Sequence, residues 1–388
     1  MKRSDILVAE ISGKRPGDKM KRPTERFNWD FDKVIISNNS DGYETEWPIV
    51  MVPEDYQNWY KDNCKMSDIA YYAPMNRSYA IKYAREHGYK YLVQLDDNIV
   101  DVAIKYRVVN KDDKTDKSYA TLSKTKGIDQ LQNDMIMYMA DILDNTNVGM
   151  VGMTPASGAV PMDSWLNERY VYSFFMLNLD NIPPYFQGDF EDDIEYRLKL
   201  KQMKIPSLSV GCFFYGKTSQ QGSTKEDLSG NRAAYSEAGL QRGEHMSKLY
   251  GDMYERGTST RGSGTKRNGV PKFRHRVKDF KVGVQVKNHE YLKRRMMELF
   301  AKYATARESE LKVKIDYPKH YLGITAIGDK YTALGKVISI AIKHGFTLTT
   351  KKDPSLDYVL MAETEEGFTD CIDELAAIGE ISFEEGTR

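Results

Sequence analysis

Through the first two-thirds of the chain, short apolar runs alternate with longer stretches whose apolar residues recur at helical spacing. Val34-Ile-Ile-Ser37, Pro48-Ile-Val-Met-Val52, Tyr91-Leu-Val-Gln-Leu95, Val148-Gly-Met-Val-Gly-Met153, Tyr170–Leu179 and Leu208–Tyr215 predict strands. Glu54–Asn63, Asn76–Glu86, Gln130–Asn145, Phe190–Lys201 and Ala238–Tyr254 predict helices, with Gly88 as a stop signal after the second. Near-continuous apolar strands separated by helices indicate an α/β fold whose parallel sheet is covered on both faces. Residues 1–32 read as an irregular, mildly basic lead-in, because Lys14-Arg-Pro-Gly-Asp18 and Arg22-Pro-Thr24 are turn-rich. Residues 33–290 then form the main domain, and Tyr291–Glu308 predicts a helix that links domains (291–310). From Leu311 the pattern restarts as a small α/β module (311–388). It has strands at Leu311–Ile315, Phe346–Thr350, Tyr358–Ala362 and Ile381–Phe383, and helices at Thr332–Lys343 and Thr369–Ile378. Gln220–Ser236 and Gly257–Gly269 are polar or glycine-rich and read as flexible loops.

Composition narrows the class. No apolar run approaches the ~18–20 residues that span a bilayer, and Ile6–Ile11 is too short for a signal peptide core. Three cysteines, Cys64, Cys212 and Cys371, lie far apart, which fits neither a disulfide scaffold nor a zinc module. The expected setting is a reducing cytoplasm. The formal net charge is zero, from 56 basic and 56 acidic residues. That zero is a cancellation. Arg256–Asn288 carries ten Lys/Arg against Asp279 alone, whereas Asp353–Arg388 carries eleven acids against Arg388. Only the distribution of charge creates a local field, so a polyanion is a candidate partner of the first segment and not of the second.

The candidate chemistry lies in two acidic clusters. Asp96-Asp97-Asn98 ends an apolar strand, and ligands of open α/β sheets bind beyond the carboxyl ends of the strands. Adjacent carboxylates there either cap a turn or share a cation, and hard oxygen ligands suit Mg²⁺ or Mn²⁺. Asp189-Phe-Glu191-Asp192-Asp193 opens a helix. Carboxylates there either cap the helix and complement its dipole or serve as a base facing a cleft.

Asn76-Arg77-Ser-Tyr-Ala80, the run from Glu86 through Gly88-Tyr to Asp96-Asp97-Asn98, and Gly188-Asp-Phe-Glu191-Asp192-Asp193 occur in the order of GT-A fold glycosyltransferases. Over roughly residues 33–290 the chain resembles that fold, and within it the TET-associated glycosyltransferase group of bacteriophages, which act on hydroxymethylated pyrimidines in DNA. The resemblance implies a GT-A-like, Rossmann-type mixed sheet and a nucleotide-sugar donor, a UDP-sugar before others. By the same resemblance Asn38, Ser40, Asn76, Arg77 and Asp96 would hold the donor. Asp96, Asp97 and His275 would hold a divalent metal (Mn or Mg), and Asp192 or Glu191 would be the acceptor-side base. Asn98 departs from the family's acidic triplet, since it is neutral where the last carboxylate usually contacts the metal.

Arg261, Lys266, Arg267, Lys272, Arg274 and Arg276, spaced by glycines, suit a loop that settles on a phosphate backbone, closes over the donor, or is simply solvated. The C-terminal module faintly resembles a BRCT-like domain, for which a protein partner or a structural role is expected. The competing functions are transfer to a polysaccharide or protein, nucleotidyl transfer or nuclease chemistry on the same carboxylates, and non-catalytic nucleic-acid binding.

Overall fold

The computed structural model describes residues 2–64, 72–109, 119–123, 130–159, 171–188, 192–218, 241–258, 271–275, 282–311, 314–316, 320–326, 340, 343, 347–348, 358–362, 374 and 381–387. Two compact units divide the chain: residues 1–105, 121–159 and 166–312 form the first, and residues 106–120, 160–165 and 313–388 the second.

The first unit is built on strands β1 (Ile6–Ile11), β2 (Asp32–Ser37), β3 (Ile49–Met51), β4 (Tyr91–Asp96), β7 (Met150–Pro155), β8 (Phe174–Asn178) and β9 (Ser207–Lys217), with residues 99–105 of β5 (Ile99–Val109) and 121–123 of β6 (Tyr119–Ser123). Its helices are α1 (Glu54–Cys64), α2 (Ala73–Glu86), α3 (Leu131–Asn145), α4 (Asp192–Gln202), α5 (Gln241–Tyr250) and α6 (His289–Leu311). The strand order β5-β9-β7-β8-β4-β1-β2-β3 makes one mixed sheet. β4, β1, β2 and β3 run parallel, and β8 is antiparallel to β4 and to β7. β9 is parallel to β7 and therefore to β4. Phe175 and Leu177 of β8 join β1 residues Leu7, Ala9 and Ile11 in a core closed by α1, α2 and α4. The alternate residue Phe174 faces Trp29 instead. On that side Tyr138 of α3 meets Phe213 of β9 edge-on at 5.8 Å. The sheet is thus covered on both faces, as the GT-A-like reading expects.

Three features depart from the sequence reading. Residues 1–32 are not an irregular lead-in: β1 lies between β2 and β4 with all six residues buried. A strand buried on both faces shows no alternation, and the turn-rich sequence after it hid the run. Residues 99–109, for which no element was expected, form β5, so Asp97-Asn98 is a tight turn between two strands. Residues 291–310 do not form a free linker. α6 belongs to the first unit and is pinned to α3, where Tyr291 and Arg295 both bond Asp141 at 2.9 Å.

Within the first unit, β10 (Tyr254–Thr258) and β11 (Pro271–His275) form an antiparallel pair around part of the basic segment. The loop read at 220–236 lies outside the described residues, as do residues 259–270. In the second unit, β12 (Lys314–Asp316) pairs antiparallel with residues 107–109. β13 (His320–Ala326), β14 (Thr347–Leu348), β15 (Tyr358–Ala362) and β16 (Ile381–Thr387) form a sheet of order β14-β15-β13-β16. Each neighbouring pair in it is antiparallel. This is the order of a ferredoxin-like split β-α-β, in which the first strand sits between the third and fourth. The BRCT-like expectation is corrected accordingly. The helices read at 332–343 and 369–378 lie almost wholly outside the described residues.

Candidate active site

The parallel strands β1, β2, β4 and β9 all end on one edge of the sheet, and each delivers a polar residue there. β4 ends in Asp96, and Asp97 and Asn98 form the turn that follows. Thr24 fixes the backbone of that turn. Its hydroxyl donates to the Asp96 carbonyl at 2.7 Å and accepts from the Ile99 N–H at 3.1 Å, while its own N–H donates to the Asp97 carbonyl. Arg22, fully buried, holds the Thr24 segment by donating to Glu25 Oε1 (2.5 Å) and to the carbonyls of Arg15 (2.7 Å) and Glu44 (3.3 Å).

Asp96 and Asp97 face different partners. Asp96 Oδ1 is paired with Arg77 and Oδ2 with Lys217, the last residue of β9. Asp97 Oδ1 pairs with Arg15 at 3.1 Å, and Oδ2 accepts from the Ser12 hydroxyl at 2.7 Å. Ser12 Oγ is also 2.8 Å from the Tyr43 hydroxyl. Burial pushes the Asp96 carboxyl up, but Lys217 and Arg77 outweigh it and hold it at about 2. Asp97 is raised instead, because burial dominates over Arg15 and Ser12.

Arg77 stands in the first turns of α2 and joins Asp96 at the end of β4 to Asp192 at the start of α4. Its Nε pairs with Asp192, its Nη2 with Asp96, and its Nη1 donates to Gln94 Oε1 at 3.4 Å. The guanidinium also lies 5.3 Å from the Phe175 ring centroid. All three nitrogens are thus directed at protein groups, and the residue is 3% exposed. Arg77 thus bridges the two carboxylates. Asp192, at the start of α4, is raised by burial and by the Asp96 charge, with Arg77 opposing. A carboxylate with a raised pKa is a better proton acceptor.

Beside the triplet, Asn76 Nδ2 donates to the Ser12 carbonyl (3.1 Å) and to Asn38 Oδ1 (3.2 Å). Asn76 Oδ1 and Asn98 Oδ1 are buried acceptors with no bonded donor among the described residues. A Cβ on Gly13 would sit 3.0 Å from Asn38 Oδ1, so a side chain there would require Asn38 to shift. Orphaned acceptors at the carboxyl edge of parallel strands suit a ligand that brings its own donors. Asn38, Asn76, Asp96, Asp97 and Asp192 are thus brought to one edge. Ser40 lies farther along the same edge, where its hydroxyl bonds Met51 Sδ at the end of β3 at 3.2 Å. Glu191, Arg261, Lys266, Arg267 and Arg276 lie outside the described residues. Lys272, Arg274 and His275 are in β11, and their side chains are not described.

The expected divalent metal would be held by Asp96, Asp97 and His275; the first two already face protein donors, and the His275 side chain is not described. Among the described residues no group of three or more His, Cys, Asp or Glu could hold one. Both oxygens of Asp96 and both of Asp97 already face protein donors, and Asn98 brings no charge. A dication on these carboxylates would sit against Arg77, Lys217 and Arg15.

Lys217, Ser12, Arg15, Tyr43, Thr24 and Gln94 escaped the sequence reading. Most belong to the supposed lead-in or its neighbour, and only the strand-end position of Lys217 was a signal. Behind the site, Glu195 of α4 is fully buried and accepts from the Tyr250 hydroxyl of α5. Burial raises its carboxyl from 4.5 to about 7. A carboxyl whose folded pKa exceeds the unfolded one favours the folded state most at low pH. Stability should therefore be complete below about pH 4.5 and fall as pH rises to about 7, by up to about 3 kcal/mol. Urea melts of wild type and Glu195→Gln across that range check this. The fall should be smaller in the variant by about that amount.

No described helix is long and apolar enough to cross a membrane. A search of curated proteins found no match. The family model described as TET-Associated Glycosyltransferase matches residues 30–224, from just before β2 to just past β9. This is half of the chain. It spans Asn38, Asn76, Arg77, Asp96, Asp97, Asp192 and Lys217. The chain belongs to the TET-associated glycosyltransferase family and is a glycosyltransferase.

Proposed function

We propose that the protein transfers a sugar from a nucleotide-sugar to the hydroxyl of a hydroxymethylated pyrimidine in DNA. One observation carries the assignment of the site: the Arg77 guanidinium pairs with Asp96 on the strand edge and with Asp192 on the facing helix. Two carboxylates so joined lie within one small site, one for the donor side and one for the acceptor side. Asn38, Asn76 and Gly13 form the corner that takes the nucleotide, and the orphaned Asn76 Oδ1 accepts from it. Asp192 accepts the proton of the acceptor hydroxyl. The hydroxyl oxygen then bonds to the anomeric carbon as the bond from that carbon to the diphosphate oxygen breaks, and the diphosphate leaves with the electron pair. Fixed cations at the edge stabilise the charge that develops on it. No metal step enters this reading, because Asp96 and Asp97 already face protein donors.

The DNA acceptor is supported by the basic segment Arg256–Asn288, with its ten Lys/Arg against one acid. A base within a duplex must leave the stack to present its hydroxymethyl group. Neutralising phosphates releases counterions, so affinity should fall steeply with salt. Replacing Lys272 and Arg274 by Ala should lower the slope of log K against log salt by about 1 for each phosphate no longer neutralised. Fluorescence anisotropy with a labelled duplex at several salt concentrations checks this. A slope that the double variant leaves unchanged would remove this segment from the interface. The acidic C-terminal unit is proposed to face a protein partner rather than DNA.

A further inference from the structure

We propose that Lys217, with Arg15 beside it, supplies the positive charge that meets the donor diphosphate, so that donor binding and transfer need no divalent metal. The inference rests on the nucleotide-sugar reading above and adds which group of this chain answers the diphosphate.

Lys217 is placed by strand register rather than by a loop. It is the last residue of β9 and pairs with Ile99, the first residue after the acidic triplet. β9 runs parallel to β4, so its end reaches the same edge of the sheet as Asp96. There the Lys217 ammonium bonds Asp96 Oδ2, an oxygen that the family resemblance assigns to a metal. An ammonium has three donors. One is used by Asp96, which leaves two for phosphate oxygens, and the side chain is 35% exposed. Arg15 is similar on the other carboxylate: it pairs with Asp97 Oδ1 and is 26% exposed. Arg77 differs from both, being buried and turned wholly toward protein groups.

Each of the three paired carboxylates at the edge is also answered by a protein cation without an ion. Asp96, Asp97 and Asp192 face Arg77, Lys217 and Arg15. A dication on these carboxylates would be repelled by the cations already paired with them. An entering diphosphate instead finds ammonium and guanidinium donors already oriented, which is the preorganised arrangement that charge stabilisation favours. The neutral Asn98 in place of a third carboxylate then has a physical reason: no metal charge needs to be offset there.

The test uses the full chain with UDP, GDP and ADP as probes, by calorimetry with added Mn²⁺ or with EDTA. Electron paramagnetic resonance follows Mn²⁺ directly. We expect one of these diphosphates to bind equally well with EDTA and with Mn²⁺, and no saturable Mn²⁺ site with or without it. Lys217→Met should weaken that diphosphate about 10–100-fold, the loss typical of a charge-assisted hydrogen bond, and Lys217→Arg should retain most of the affinity. Lys217→Gln serves if the Met variant fails to fold. A saturable Mn²⁺ site on which diphosphate binding depends would overturn the proposal and leave the glycosyltransferase reading intact. So would unchanged affinity in Lys217→Met. Failure of the wild type to bind any of the diphosphates, with or without Mn²⁺, would remove the nucleotide-sugar reading of this edge and the proposal with it.

Discussion

Arg77→Met should lower the stability of the first unit by about 3–5 kcal/mol, because it leaves Asp96 and Asp192 buried without their shared cation. Breaking one side of a buried ion pair costs more than the pair is worth, since the remaining charge keeps its desolvation penalty. The pairing is visible in the carboxyls themselves. Asp96 is held at about 2 against its own burial, and Asp192 would rise further without Arg77. Urea unfolding followed by tryptophan fluorescence is a suitable measure, since Trp29, Trp47 and Trp59 all lie in the first unit. Arg77→Lys should recover little, because one ammonium cannot reproduce a fork that reaches Asp192, Asp96 and Gln94 together. Combining Arg77→Met with Asp192→Asn should restore part of the loss. If the two changes were simply additive, Arg77 and Asp192 would not be energetically joined.

Asp192→Asn should lower the transfer rate about 10²–10⁴-fold, the usual contribution of a positioned general base. The amide oxygen can still accept from Arg77, so folding and diphosphate affinity should change little. That separation distinguishes a base from a structural anchor. If the variant lost donor affinity and rate in parallel, Asp192 would belong to the donor site. If the rate were unchanged, another group would take the proton.

Much of the first unit was legible from apolar runs, because strands covered on both faces leave uninterrupted hydrophobic segments. The runs at 34–37, 91–95 and 208–215 became β2, β4 and β9, and the Asn76–Glu86 pattern became α2. β1 was missed for a related reason. Its six residues include Glu10, which is buried among Leu7, Val8, Ala9 and Ile11. A charged residue in a short run, followed by turn-rich sequence, resembles a tail. Burial with neither carboxylate oxygen hydrogen-bonded pushes that carboxyl well above its usual range, with Arg22 at 4.0 Å opposing. The carboxylates of the site were legible from their place at element ends. Their cations were not. Lys217 reaches Asp96 across 121 residues of sequence, Arg15 lies in the supposed lead-in, and only the sheet order brings these ends together. Arg77 was legible as a residue and not in its pairing with Asp96 and Asp192, since a one-dimensional motif does not tell which carboxylates a guanidinium meets.

The most direct test of the proposed reaction is the mass of nucleosides released from hydroxymethylated DNA after incubation with the protein and a panel of nucleotide-sugars. The account expects one donor to add the mass of its sugar to the hydroxymethylated nucleoside, with that product strongly reduced in Asp192→Asn and unaffected by EDTA. No mass gain from any donor, on DNA that the protein binds, would contradict it.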